Sequence, residues 1–271
     1  MRTIRVGPAG LAVAAVLCLV TGCGGGGGGG EVRYEGDYSP MSIGSAWDYT
    51  GDYSVTGPSG TESGTFTLTQ TVTGTMTMHD SAMNDWECFV LEATGTNLEG
   101  AAFWPGAEIH IQYISKRSTG TYGVAFRDYG DTLYTFPQPQ LLVPSPLVTG
   151  NTWTMWQDVE GQLKCTYTVQ TAQQVSVTAG TRQAVPLKGA LQGAFDSLTV
   201  TGSDTQWYVV DIGQLKQEVS LTVRYEGVTV KGDGTIQLSS HRGAGATPAG
   251  AAGGVLLVAV IERMRAVLPS Q

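Results

Sequence analysis

The residues of this chain that could carry chemistry are few: three histidines, four cysteines and a scatter of carboxylates. A bound metal needs several such donors converging, usually announced by paired spacing. His79, His110 and His241 stand far apart, with no Cys-x-x-Cys and no His-Glu-x-x-His, so the sequence implies no metal and no cofactor. His110 lies in Ile109-His110-Ile111-Gln112-Tyr113, on the face opposite the isoleucines, where a strand histidine meets solvent. Nucleophilic catalysis would want a serine at a strained turn or a cysteine in an electropositive setting. There is no Gly-x-Ser-x-Gly, and Cys88 and Cys165 sit inside apolar strand patterns. Asp80, Asp85, Asp128, Asp131, Asp204 and Asp211 fall at or near expected strand ends, most of them beside Gly, Ser or Asn, which is where turns use aspartate. Nothing selects two of them as a glycosidase pair. The sequence therefore points away from an enzyme, and no catalytic residue is assigned.

Cys23 is different, because its surroundings specify a modification. Residues 1–22 run from a basic start (Arg2, Arg5) through an apolar stretch, Leu11 to Val20, to Val20-Thr21-Gly22-Cys23. The apolar run is shorter than the ~20 residues of a membrane span and suits the core of an export signal. Val20-Thr21-Gly22-Cys23 resembles the lipobox of bacterial lipoproteins. The resemblance implies cleavage between Gly22 and Cys23, a diacylglycerol on the Cys23 thiol and an acylated new amine. Several acyl chains, at ~0.8 kcal/mol per buried CH₂, make a near-permanent membrane anchor. The glycine run Gly24–Gly30 follows at once and has the composition of a flexible tether; it lacks the Lys-Ser/Thr of a phosphate cradle. In an organism with two membranes, Gly rather than Asp after the cysteine implies sorting to the periplasmic face of the outer membrane.

Charge narrows the partners. The chain carries 15 basic and 23 acidic residues, and loss of Arg2 and Arg5 with the signal leaves 13 against 23, a net −10. Such a surface repels phosphate backbones, and no Lys/Arg cluster overrides it, so nucleic acid is excluded as a partner. With Cys18 lost and Cys23 acylated, Cys88 and Cys165 remain as either a disulfide of an exported domain or two buried thiols.

The elements that must position these residues are strands. Charged residues are 14% of the chain and Gly reaches 38, a strand-and-turn composition. From Thr65 to Met78, threonines line one face while Phe66, Leu68, Val72, Met76 and Met78 line the other. Similar runs recur to Ile236–Leu238, which predicts an antiparallel, strongly curved sheet, a half-barrel or open barrel. The threonine face reads as the solvated side of a half-buried strand. Residues 134–147 hold Pro137, Pro139, Pro144 and Pro146 and read as an irregular extended crossover.

Pro40-Met41-Ser42-Ile43-Gly44-Ser45-Ala46-Trp47 matches Pro146-Leu147-Val148-Thr149-Gly150-Asn151-Thr152-Trp153 at Pro, apolar, Gly and Trp. The match predicts two related halves, about 38–135 and 146–240, with Trp47 and Trp153 as core plugs, the alternative being an aromatic ligand platform formed by them and Trp104. Pro146-Leu147-x-x-Gly150-Asn151-x-Trp153, then Val175-Ser176-Val177-Thr178-Ala179-Gly180-Thr181, then Trp207-Tyr208 ahead of Ile212-Gly213-Gln214-Leu215-Lys216, resembles a group of uncharacterised bacterial lipoproteins. Thr178 stands where that group has Pro, and Arg182 where it has an aromatic. The resemblance implies a shape similar to periplasmic lipoprotein carriers such as LolA, LolB and LppX.

The organisation that follows is a signal at 1–22, lipidated Cys23 with a tether to 36, a β-rich domain at 37–240 and a tail at 241–271. The tail is Gly/Ala-rich to Gly254; Val255–Leu268 then has the composition of a short helix, too short and glycine-diluted for a span. The expected function is a non-catalytic, membrane-anchored binding or interaction module of the envelope. Its concave apolar face would take a lipid or hydrophobic peptide, and the loop residue Trp104 is the best hint of a binding surface. The alternatives are a structural assembly subunit without ligand and, behind it, a carboxylate-based hydrolase.

Overall fold

The computed structural model describes residues 31–96, 109–128, 131–156, 163–195 and 198–243. Cys23, Trp104 and the expected C-terminal helix lie outside them. Among the described residues the regular structure is all strand. A first meander comprises β2 (Ala46–Gly57), β3 (Gly60–His79), β4 (Asp85–Thr96), β5 (Ile109–Arg117), β6 (Gly120–Asp128) and β7 (Leu133–Pro144). A second comprises β9 (Thr152–Trp156), β10 (Leu163–Val169), β11 (Gln173–Val177), β12 (Gly180–Phe195), β13 (Leu198–Val209), β14 (Gly213–Tyr225) and β15 (Val228–Arg242). Together they form one 13-stranded antiparallel sheet, ordered β7-β6-β5-β4-β3-β2-β15-β14-β13-β12-β10-β9 with β11 on β12.

The end of the second meander pairs with the start of the first, β15 against β2 from Lys231↔Thr56 to Arg242↔Ala46. The two free ends then meet: Trp153 Nε1 in β9 donates to Leu141 O in β7 at 2.9 Å. The sheet is thus a nearly closed barrel, the more closed of the half-barrel and open barrel that the alternation suggested. β15 also runs to Arg242, past the residue-240 boundary read from the sequence.

Closure demands that large side chains lie flat across the inner face, and glycines make room for them. Phe66 covers its cross-strand partner Gly51, where an added Cβ would come within 2.2 Å of the ring. Tyr167 covers Gly189 in the same way, where a Cβ would meet Cys165 Sγ at 2.5 Å. Period-2 burial follows, as in β10, where Leu163, Cys165, Tyr167 and Val169 are buried and the residues between are not.

The two Pro-to-Trp segments adopt the same turn. Gly44 and Gly150 take φ of 88° and 87°, the left-handed region glycine enters without penalty. Gly44 N donates to Val72 O and Val72 N to Ser45 O; Gly150 N donates to Val169 O and Val169 N to Asn151 O, all between 2.8 and 3.0 Å. Each turn delivers its tryptophan two residues on, Trp47 opposite Gln70 and Trp153 opposite Tyr167.

A strap precedes β2. β1 (Arg33–Tyr34) pairs with β8 (Leu147–Val148). Beyond it Asp211 N donates to Asp37 O, and Lys116 pairs with Asp37. Cys88 and Cys165 are both buried free thiols in different core clusters, so they do not form a disulfide. Burial pushes the Cys88 thiol up to about 12 and Cys165 higher still, which leaves both unreactive.

The proline-rich stretch is a correction. Most of it forms β7, paired with β6. Proline is tolerated because β7 is the end strand and because the register jumps from Gly123↔Gln140 to Ala125↔Thr135, which leaves Pro137 and Pro139 unpaired.

Trp47 is fully buried and Trp153 half-buried. Trp47→Ala is expected to cost ~3–5 kcal/mol in urea unfolding, and Trp153→Ala less. A cost below about 1 kcal/mol for Trp47→Ala would contradict this packing.

Candidate functional site

Of the tryptophans proposed as a platform, Trp47 is inside the core, with its Nε1 finding no partner among the described residues. Trp153 stacks on Tyr167, ring centroids 5.4 Å apart at 22°, and spends its N–H on Leu141. Neither faces a ligand surface, because each begins a strand at the point where its side chain turns inward. Trp104, Gly22 and Cys23 fall outside the described residues. Also among the described residues, no three His, Cys, Asp or Glu side chains gather into a metal-holding group.

The structure assembles a site the sequence analysis did not single out. Asp204 is in mid-strand in β13, not at a strand end, and is 1% exposed. It shares the inner face with Gln206 and Tyr208, two and four residues on. Tyr167 lies in register with Gly189, and Gly189 with Asp204, so the phenol reaches over the glycine to the carboxylate. Tyr167 Oη donates to Asp204 Oδ2, as does Gln206 Nε2 at 2.7 Å. Gln217 Nε2, from β14, donates to Oδ1 at 2.9 Å. Gln206 Nε2 also reaches Tyr167 Oη, and Tyr208 Oη donates to Gln206 Oε1 at 2.7 Å. Gln214 Nε2 donates to Gln217 Oε1 at 3.0 Å, leaving Gln214 Oε1 unpartnered. The visible signal was Asp204-x-Gln206-x-Tyr208, a period-2 polar run in phase with inward-facing Val200.

This is a buried carboxylate with three donors and, among the described residues, no cation against it. Burial raises its pKa to about 6, with the bonds from Tyr167, Gln206 and Gln217 opposing that rise. Burial likewise drives the Tyr167 and Tyr208 phenols upward, so both stay protonated donors. The carboxylate is buried within the barrel, and its donors come from β10, β13 and β14.

The outer face is polar. A trough of about 650 Å³ crosses β13, β14, β15, β2 and β3, lined by Asp52, Ser54, Thr65, Ser203, Glu218 and Asp233 among others. A hollow of about 370 Å³ continues it, sharing Asp52 and Thr65 and adding Thr67, Thr96 and Gln237. The threonine alternation of β3 thus joins rows that cross several strands, with Thr67 and Thr96 hydroxyls 2.7 Å apart.

No protein-family model matches the chain, and no curated protein does. Several solved structures are similar to it, two of which follow. One, from Bacteroides fragilis, is described as an exported protein with a YmcC-like fold; it is 12% identical, with a TM-score of 0.39 over 77% of this chain and 100% of that one. The other, from Parabacteroides distasonis, is described as a lipoprotein; it is 11% identical, with a TM-score of 0.35 over 77% of this chain and 99% of that one.

A folded-state pKa of about 6, against 3.8 for an ordinary aspartate, means that the Asp204 charge opposes folding. The cost, on the order of 3 kcal/mol, is full above about pH 6 and is relieved as pH falls towards about 4. Asp204→Asn is therefore expected to be more stable than the wild type at pH 7, with the gap closing in acid. Urea unfolding of both at several pH values checks this; a gap that stays flat or widens in acid is the contrary result.

Proposed function

We propose that this chain is a lipid-anchored protein of the bacterial cell envelope, a non-catalytic binding or interaction module held to the membrane through Cys23. The observation that carries the reading is Val20-Thr21-Gly22-Cys23 followed directly by Gly24–Gly30. Acylation at Cys23 and cleavage after Gly22 belong to this proposal, as do the outer-membrane address and the descent of both meanders from one ancestral half. The shared Gly44 and Gly150 turns support that descent.

The described structure shifts the preferred ligand. The apolar faces of the strands are spent on one another: Trp47, Tyr49, Tyr167, Tyr208 and Leu187 are all fully buried within the barrel. An acyl chain or hydrophobic peptide would have to displace them. The outward trough, with its hydroxyls and carboxylates, instead suits a polar partner met at the membrane surface. The sealed position of Asp204 argues against a hydrolase built on it.

Cys23→Ser tests the anchor. Expressed in a bacterium with lipoprotein export, the wild-type chain is expected in the detergent phase of a two-phase extraction and the variant in the aqueous phase. A variant that still partitions with detergent would overturn the reading.

A further inference from the structure

We propose that Asp204 is a proton-responsive switch inside the barrel, which on taking up a proton at Oδ1 reverses the hydrogen-bond polarity of the Gln217–Gln214 amide chain. The argument rests on which partners can turn round. Oδ2 receives Tyr167 Oη and Gln206 Nε2. Turning Gln206 would take its Oε1 away from Tyr208 Oη and leave that hydroxyl hydrogen with no other acceptor among the described residues, so Gln206 keeps its N–H toward the carboxylate. A proton on Oδ2 would therefore face an N–H donor. Oδ1 receives Gln217 Nε2, whose amide continues, among the described residues, to Gln214 alone.

Gln214 is the free end. In the ionised state its Oε1 has no partner among the described residues, although the residue is fully buried. When a proton arrives from water at Oδ1, Gln217 turns its Oε1 to accept it and presents Nε2 to Gln214. Gln214 turns in response, and its formerly unpartnered oxygen accepts that N–H. The buried charge is neutralised, and the unpartnered position passes from an oxygen to an N–H.

The surroundings allow this titration and add no competing charge. The groups facing Asp204 are Tyr167 and Cys165 from β10 and Tyr208 from β13, with Tyr49 of β2 beyond Tyr208. Burial holds all four neutral, and no cation faces it among the described residues. The chain ends beside the β13–β14 turn, where Gln214 O accepts Tyr49 Oη at 3.3 Å and Asp211 N–H holds Asp37 of the strap.

Side-chain NMR on the full chain in detergent micelles tests the switch between about pH 7.5 and about pH 4. The Asp204 carboxyl carbon is expected to titrate, and the NH₂ groups of Gln217 and Gln214 to move with the same midpoint while that of Gln206 stays still. Asp204→Asn presents an N–H where the protonated Oδ1 would be, so its Gln214 and Gln217 signals should sit at the wild-type acid limit at every pH. The proposal is overturned if Asp204 stays ionised throughout, if it titrates while Gln214 and Gln217 do not move, or if Gln206 moves with them. The wild-type titration decides between these outcomes even if the variant does not fold.

Discussion

A sheet that closes on itself must fill its own interior, and that requirement orders the rest of this structure. With β15 joined to β2 and β7 brought to β9, the inner face has no second layer to pack against. Tyr53, Phe66 and Tyr167 lie across it, each covering a glycine that could not carry a side chain there. Tyr167 shows how far the constraint reaches. It covers Gly189, stacks on Trp153 and holds Asp204. Trp153 in turn donates to Leu141 across the barrel seam. One contact path therefore links the buried carboxylate to the place where the barrel closes.

A carboxylate in such a setting is costly, since it is desolvated without a cation. What offsets the cost is saturation with donors, each in turn held by a neighbour: Tyr208 fixes Gln206, and Gln214 bonds Gln217. A network of this kind specifies one arrangement of β10, β13 and β14, since a shift of one residue would break several bonds at once. Filling the interior also decides which side chains remain outside. The apolar surface goes into the fold, and the outward face keeps hydroxyls and carboxylates.

Much of this was legible in the residues. Alternation in stretches such as Thr65–Met78 specified antiparallel strands, and the Gly44 and Gly150 spacing specified two equal turns, because both signals are local. Three readings failed or fell short where the deciding contact was distant. Asp204 was read as a turn aspartate, since the partners that explain it, Tyr167 and Gln217, are 37 and 13 residues away. Pro137 and Pro139 were read as breaking the strand, but an end position and a register jump absorb them. The threonines of β3 looked like one strand's wet face, and only the registers of β3 with β2 and β4 make them part of rows.

The central claim is that the Tyr167–Asp204 contact couples the barrel core to its closure. A double-mutant cycle on unfolding free energy at neutral pH tests it most directly, using Tyr167→Phe, Asp204→Ala and the pair. The phenylalanine keeps the ring over Gly189 and against Trp153 while removing only the hydroxyl. The account predicts a coupling of about 1–3 kcal/mol, the range of a hydrogen bond to a buried charge. Additive effects, with coupling within about 0.5 kcal/mol of zero, would contradict it.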